Sequence, residues 1–198
     1  MLVNEWFFEI YANLPREGPG DSRSTRRAYR MLTDLSENPV FLDVGCGSGM
    51  QTVELAKISN ANIMALDIHQ PFLVALAVRA RVEGVREKIN LVRGDMACLS
   101  FGLKNFDAIW CEGAIFAIGF ERGLCEWRKF LVDRGYLVVS ELCWLNPNPP
   151  KEIKDYLLEI YPLMKTVKEN LQIIKEAKYQ VKDYFVLPES SWWENYYP

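Results

Sequence analysis

The chain has 198 residues, 49% of them hydrophobic and 25% charged, which suits one folded domain and excludes a largely disordered chain. Its 23 basic and 26 acidic residues leave a net charge of −3, so the basic excess of a duplex-binding module is missing. No apolar run reaches the roughly 18 residues that span a bilayer, and the first residues lack the basic cluster and cleavage site of a secretory signal. Cys46, Cys98, Cys111, Cys125 and Cys143 are scattered without a Cys-x-x-Cys pair. They supply neither a disulfide framework nor a metal set. The expectation is a reduced, cytoplasmic protein with no metal, no membrane and no nucleic-acid partner.

In chain order, Leu2, Trp6, Ile10 and Leu14 recur at helical spacing. Two prolines and two glycines between Pro15 and Asp21 then force a loop. Asp21 or Ser22 can cap a second helix with Ala28, Met31, Leu32 and Leu35 on one face. Its arginines 23, 26, 27 and 30 read as a solvated face. From Val40 the pattern becomes strand alternating with helix. Strands are predicted at 40–44, 63–66, 89–92, 106–110 and 136–140, and helices through Val53, Leu55, Ala56 and Ile58, over about 70–83 and around 123–131. That alternation predicts an α/β, doubly wound and mainly parallel sheet covered on both faces. Pro147, Pro149 and Pro150 open a linker, followed by helices over 151–161 and 166–177 and a further strand over 179–187. The aromatic tail beyond it is a poor strand, so the sheet is expected to lack its usual last member. The whole is one domain: an N-terminal helical lid over 1–37, a ligand-binding core over 38–145, a helical cap over 146–178, and a last strand with an aromatic tail over 179–198.

The chemistry concentrates at Asp43-Val44-Gly45-Cys46-Gly47-Ser48-Gly49. A Gly-rich turn between a buried strand and a helix lets a ligand touch backbone, and it aims helix N-terminal N–H groups at that ligand. Asp67 closes the next strand, where a carboxylate can accept both hydroxyls of a ribose. The loop is Gly-x-Gly-x-Gly, not the Gly-x-Gly-x-x-Gly of dinucleotide sites. Asp43 would repel a pyrophosphate and tolerate an ammonium or sulfonium.

This pattern resembles the class I S-adenosylmethionine-dependent methyltransferases over about residues 38 to 142. The stretch Glu112-Gly113-Ala114-Ile115-Phe116-Ala117-Ile118-Gly119-Phe120-Glu121-Arg122-Gly123, with Gly18-Pro19-Gly20 upstream, is similar to a small-molecule methyltransferase branch. The resemblance implies S-adenosylmethionine as cofactor and a small-molecule methyl acceptor. It places Gly45, Cys46, Gly47 and Gly49 beneath the methionine part, with Asp43 orienting it. Asp67 would hold the ribose and Ile68 would lie against the adenine. Asp95 and Met96 would bind the adenine edge, and Cys111 would offer its carbonyl to the amino group. Glu112 would face the transfer site, as a proton acceptor or as an orienting group. Tyr11, Gly20 and Phe116 would line the acceptor pocket. His69, Cys46 and Asp107 read as non-catalytic, and Trp110 and Trp127 as core. A nicotinamide-dependent oxidoreductase and a non-catalytic cofactor- or partner-binding module are the competing expectations. An open sheet edge would let a second copy of the chain associate.

Overall fold

A computed structural model describes residues 5–11, 14–194 and 196–197, without the side chains of residues 5–7. The expected lid aromatics Trp6 and Phe7 therefore have side chains outside the described residues. After helix α1 (Glu5–Tyr11), a loop leads into α2 (Ser22–Tyr29), capped by Asp21, whose carboxylate accepts the Ser24 N–H. Then come β1 (Val40–Val44), α3 (Met50–Ile58), β2 (Asn62–Asp67), α4 (Gln70–Val82), β3 (Ile89–Arg93), β4 (Phe106–Cys111), α5 (Phe120–Trp127) and β5 (Leu131–Val139). The five strands form one parallel sheet in the order β3-β2-β1-β4-β5. The predicted doubly wound sheet is thus present.

The strand order reverses between β1 and β4, so the crevice of such a sheet opens at their carboxyl ends. Short apolar runs make the strands, because each is buried on both faces. Phe41, Ile63, Ala65, Ala108 and Trp110 enter the core beneath α3 and α4, whereas Leu42, Val44, Leu66 and Ile109 enter the core beneath α5. Trp110 and Trp127 are core residues, as expected. Asp107 sits at the amino end of β4, where its carboxylate accepts the Val40 N–H at 2.8 Å, a structural role. β5 starts five residues earlier than predicted, because Leu131 pairs with Phe106 before an irregularity at Asp133-Arg134-Gly135.

Beyond β5, strand β6 (Cys143–Trp144) pairs in parallel with β7 (Lys165–Thr166), on either side of α6 (Lys151–Ile160). Helix α7 (Val167–Glu176) follows, started by a capping box of Thr166 and Glu169. The expected cap over 146–178 divides in two. No residue of α6 is buried, while Ile173 and Ile174 of α7 pack into the core on the α5 side.

The predicted strand over 179–187 does not form. Tyr179 donates its hydroxyl to the Leu124 carbonyl on one side of the sheet, whereas Lys182 bonds Thr33 and Phe185 lies under Arg27 on the other. The segment crosses beyond β5 instead of running along it, so no ladder can form. The apolar alternation there has a different cause: Phe185 and Leu187 are half-buried, with Val186 and Tyr184 exposed. A last helical turn, α8 (Ser190–Trp193), brings Ser191 back to the Gly20 N–H and the Asp21 carboxylate.

Candidate active site

The carboxyl end of β1 delivers Asp43 and the glycine loop. Asp43 is fully buried, with Thr52 and Gln51 of α3 donating to its two oxygens at 2.5 and 3.4 Å. Burial pushes its carboxyl up to about 7. Gly45 turns with φ +68°, and a Cβ there would lie 2.6 Å from Ala114 Cβ and 3.0 Å from Met96 Cε. Gly47 has φ +54°, and a Cβ there would meet the Glu17 carboxylate at 2.3 Å. Only glycine keeps both the turn and the close approach. Cys46 is buried beneath the loop, and burial pushes its thiol well up, so it is a neutral packing group and not an activated nucleophile.

Asp67 ends β2 beside this loop. One oxygen accepts the Gly47 N–H at 2.9 Å and the other accepts the His69 N–H at 2.8 Å. Each oxygen keeps a lone pair for a further donor. Burial raises its carboxyl above the usual range. His69 stacks on Phe8 at 4.1 Å, away from the β4 end. Ile68 is half exposed and its side chain is free to cover a flat ring. Past β3, Asp95 is exposed and caps a short helical turn through Ala97 N–H, while Met96 lies against Gly45. Cys111 is buried, and its carbonyl accepts the Ser140 N–H at 3.1 Å. The glycine loop, Asp67, Met96 and Ala114 thus meet around one crevice, while Asp95 stands at its outer rim.

Glu112 follows β4 and is held from three sides. Arg16 approaches at 2.5 Å, Thr25 donates at 2.8 Å and Trp110 donates its indole N–H at 2.7 Å. Arg16 is itself buried. Sequence reasoning did not single out Arg16 or Glu17, yet both pin the loop before α2 across the carboxyl ends of the strands. The Glu17 carboxylate accepts the Ser48 N–H at 3.0 Å, and the Pro15 carbonyl accepts from Arg79 of α4 at 3.2 Å. The signal available in sequence was a pair of charges beside Gly18-Pro19-Gly20, a place where the chain bends closely onto something else. Of the expected acceptor residues, Gly20 packs on the Arg16 guanidinium, and Tyr11 shares a 2.7 Å hydrogen bond with Tyr196. Phe116 packs instead on the other flank, against Tyr161 at 6.1 Å.

Residues 41–135 match the family model of the methyltransferase domain. That match covers just under half of the chain, so it is a likeness of its central segment to that domain. A demethylmenaquinone methyltransferase of Corynebacterium efficiens is 32% identical over 145 residues, covering 72% of this chain and 59% of that protein. A sterol 24-C-methyltransferase of Gibberella zeae is 32% identical over 105 residues, covering 52% of this chain and 27% of that one. The chain therefore spans between about a quarter and three fifths of these curated relatives. Among solved structures, an S-adenosylmethionine-dependent methyltransferase from Thiobacillus denitrificans, in complex with S-adenosylhomocysteine, superposes with a TM-score of 0.82. It covers 97% of this chain and 77% of its own at 20% identity, and shows the shared fold. The matched segment 41–135 contains the glycine loop, Asp67, Asp95 and Glu112, whereas Arg16 and Glu17 lie upstream of it. Among the described residues no helix is long and apolar enough to cross a membrane.

Proposed function

We propose that the protein transfers a methyl group from S-adenosylmethionine to a small-molecule acceptor. The observation that carries this reading is the Asp67 carboxylate beside the glycine loop, both oxygens keeping lone pairs, with Asp43 buried beneath the same loop. The residues fit the cofactor: a crevice floored by glycine backbone, a ribose acceptor at Asp67, an apolar ring cover at Ile68, and Met96 with Asp95 toward the adenine edge. When bound, the cofactor supplies an electrophilic methyl on a sulfonium. Asp43 and the Cys111 carbonyl orient the amino-acid end of that cofactor. The similarity to sterol and menaquinone methyltransferases runs over longer stretches than the similarity to a ribosomal protein L11 methyltransferase, and supports a small organic acceptor.

Catalysis rests on placement, because in-line transfer needs two reactants held in contact and in line. The loop over residues 14–21 acts as a strap that closes the crevice and excludes water. Glu112 is the anchor of that strap: one oxygen accepts from Arg16 and the other from Thr25 and Trp110, so its carboxylate serves to position Arg16. Tyr11 and Gly20 belong to the strap, and Phe116 to the acceptor side. Calorimetric titration with S-adenosylmethionine and with NAD tests the assignment. Binding of the first alone, with S-adenosylhomocysteine released in the presence of an acceptor library, is the expected result. NAD binding would return the protein to the oxidoreductases, and cofactor binding without turnover would leave a binding module.

A further inference from the structure

Glu141 stands two residues beyond β5, at the carboxyl end of the sheet. Its neighbour Ser140 donates its N–H to the Cys111 carbonyl and accepts the Gly113 N–H at 2.8 Å. The stretch is thereby tied to the segment that follows β4, where Glu112 and Gly113 also meet the strap over residues 14–21. One Glu141 oxygen, Oε1, accepts the Tyr161 hydroxyl at 2.5 Å. The other, Oε2, is buried and has no hydrogen-bond partner. A buried carboxylate oxygen left unpaired is costly and calls for a reason.

Tyr161 joins this carboxyl to a cavity of about 330 Å³. The cavity wall is largely apolar, with Ile118, Phe120, Leu163 and Ile173, and Phe116 sits edge-on to Tyr161. Its polar groups include Tyr161 and Asn170, whose amide points to Cys143 Sγ at 3.1 Å. The volume lies at the lower end of small-ligand pockets, roughly 300 to 1,000 Å³. Resting on the methyl-transfer reading above, we propose that this cavity receives the methyl acceptor and that Tyr161, backed by Glu141, removes its proton. The acceptor class is a mainly apolar molecule carrying one O–H or N–H.

In the step, the acceptor heteroatom forms a bond to the methyl carbon, and the carbon–sulfur electron pair stays on sulfur. The acceptor proton passes to the Tyr161 oxygen while the Tyr161 proton passes to Glu141 Oε1, so charge and atoms balance. Burial pushes the Glu141 carboxyl up to about 7, a range suited to proton exchange near neutrality. The groups around it are consistent with that. Cys143 and Cys111 are thiols pushed up by burial and hence neutral. Burial and the adjacent Glu141 push the Tyr161 hydroxyl up as well. Lys165, on the strand paired with Cys143, and Arg122 line the cavity with Glu121, and Arg122 is engaged by Glu126 at 2.7 Å.

The experiment compares wild type, Glu141→Gln and Tyr161→Phe, each checked for fold by circular dichroism. Titration with S-adenosylmethionine should give affinities within about twofold of each other, because neither side chain touches the glycine loop. Infrared titration should show protonated carboxyl absorption in wild type that fades through about pH 7 and that Glu141→Gln reduces to the part Asp43 contributes. Release of S-adenosylhomocysteine with a panel of phenols, aliphatic alcohols and amines should fall at least about 100-fold in both variants. The acidic limb of the wild-type pH–rate profile should vanish in Glu141→Gln. Wild-type rate and pH profile in Glu141→Gln, or a Glu141 carboxyl ionised throughout the titration, would overturn the proton role alone. Wild type that binds the cofactor but methylates none of the panel would overturn the acceptor class. Failure of wild type to bind the cofactor would bring down the methyl-transfer reading itself, and this proposal with it.

Discussion

Asp67 does two jobs with one carboxylate. It ties the glycine loop to the turn after β2 through the Gly47 and His69 N–H groups, and it presents its remaining lone pairs to the crevice. Hydrogen bonds to a charged group contribute about 1.5 to 3 kcal/mol each. Asp67→Ala should therefore weaken S-adenosylmethionine binding at least about tenfold in calorimetry. An unchanged dissociation constant in a folded variant would remove Asp67 from the site. Position alone made this residue legible: an acidic group closing the strand after a Gly-rich turn. Glu141 lies two residues past β5, and its role depended on Tyr161, 20 residues away in the chain.

Among the elements, the strap between α1 and α2 depends on one buried ion pair. Arg16 and the Glu112 carboxylate are 96 residues apart and both nearly excluded from solvent. Removing one partner of such a pair leaves the other charge uncompensated, at a cost of about 3 to 5 kcal/mol. Arg16→Ala should lower stability toward that range in urea denaturation and reduce turnover. A variant as stable as wild type would show that Thr25 and Trp110 alone satisfy Glu112. The helices carry their own boundaries. Asp21 caps α2, the Thr166–Glu169 box starts α7, and Pro71 sits in the first turn of α4, all local signals that sequence displays.

For the whole molecule, burial of carboxyls sets a pH dependence. Asp43 rises from 3.8 to about 7 in the folded protein, so the folded state binds more protons than the unfolded state between those values. Its contribution is fully present below about pH 4 and is lost as pH rises through about 7. Asp43→Asn should flatten the decline in stability between pH 4 and 7, by about 4 kcal/mol at most. Asp21, held low mainly by its hydrogen bonds from Ser191 and Ser24 against an opposing burial effect, acts in the other direction, its stabilisation fading as pH falls below the usual carboxylate range. Denaturation curves across that range, with no difference between variant and wild type, would contradict the burial account. The outer edge of β5 also bears on the whole molecule. The segment 179–187 crosses beyond β5 without pairing, so that edge keeps unpaired backbone groups. Sedimentation velocity should show concentration-dependent self-association, and a single species at all concentrations would refute it.

The sequence determined the elements of the sheet and the floor of the crevice. Strands β1 to β4, of five or six mainly apolar residues ending at or near glycine or aspartate, are local patterns, and so is the Asp43-to-Gly49 turn that makes one side of the site. Tertiary structure decided what those patterns could not encode. The 179–187 alternation has the period of a strand, but a strand needs a partner with free backbone groups alongside, and this segment runs across the sheet. Glu112 became an anchor and Glu141 an open carboxyl because of which donors packing brought to each: three for the first, Tyr161 alone for the second. Desolvation and long-range pairing are properties of the packed chain, and they leave no period in the order of its residues.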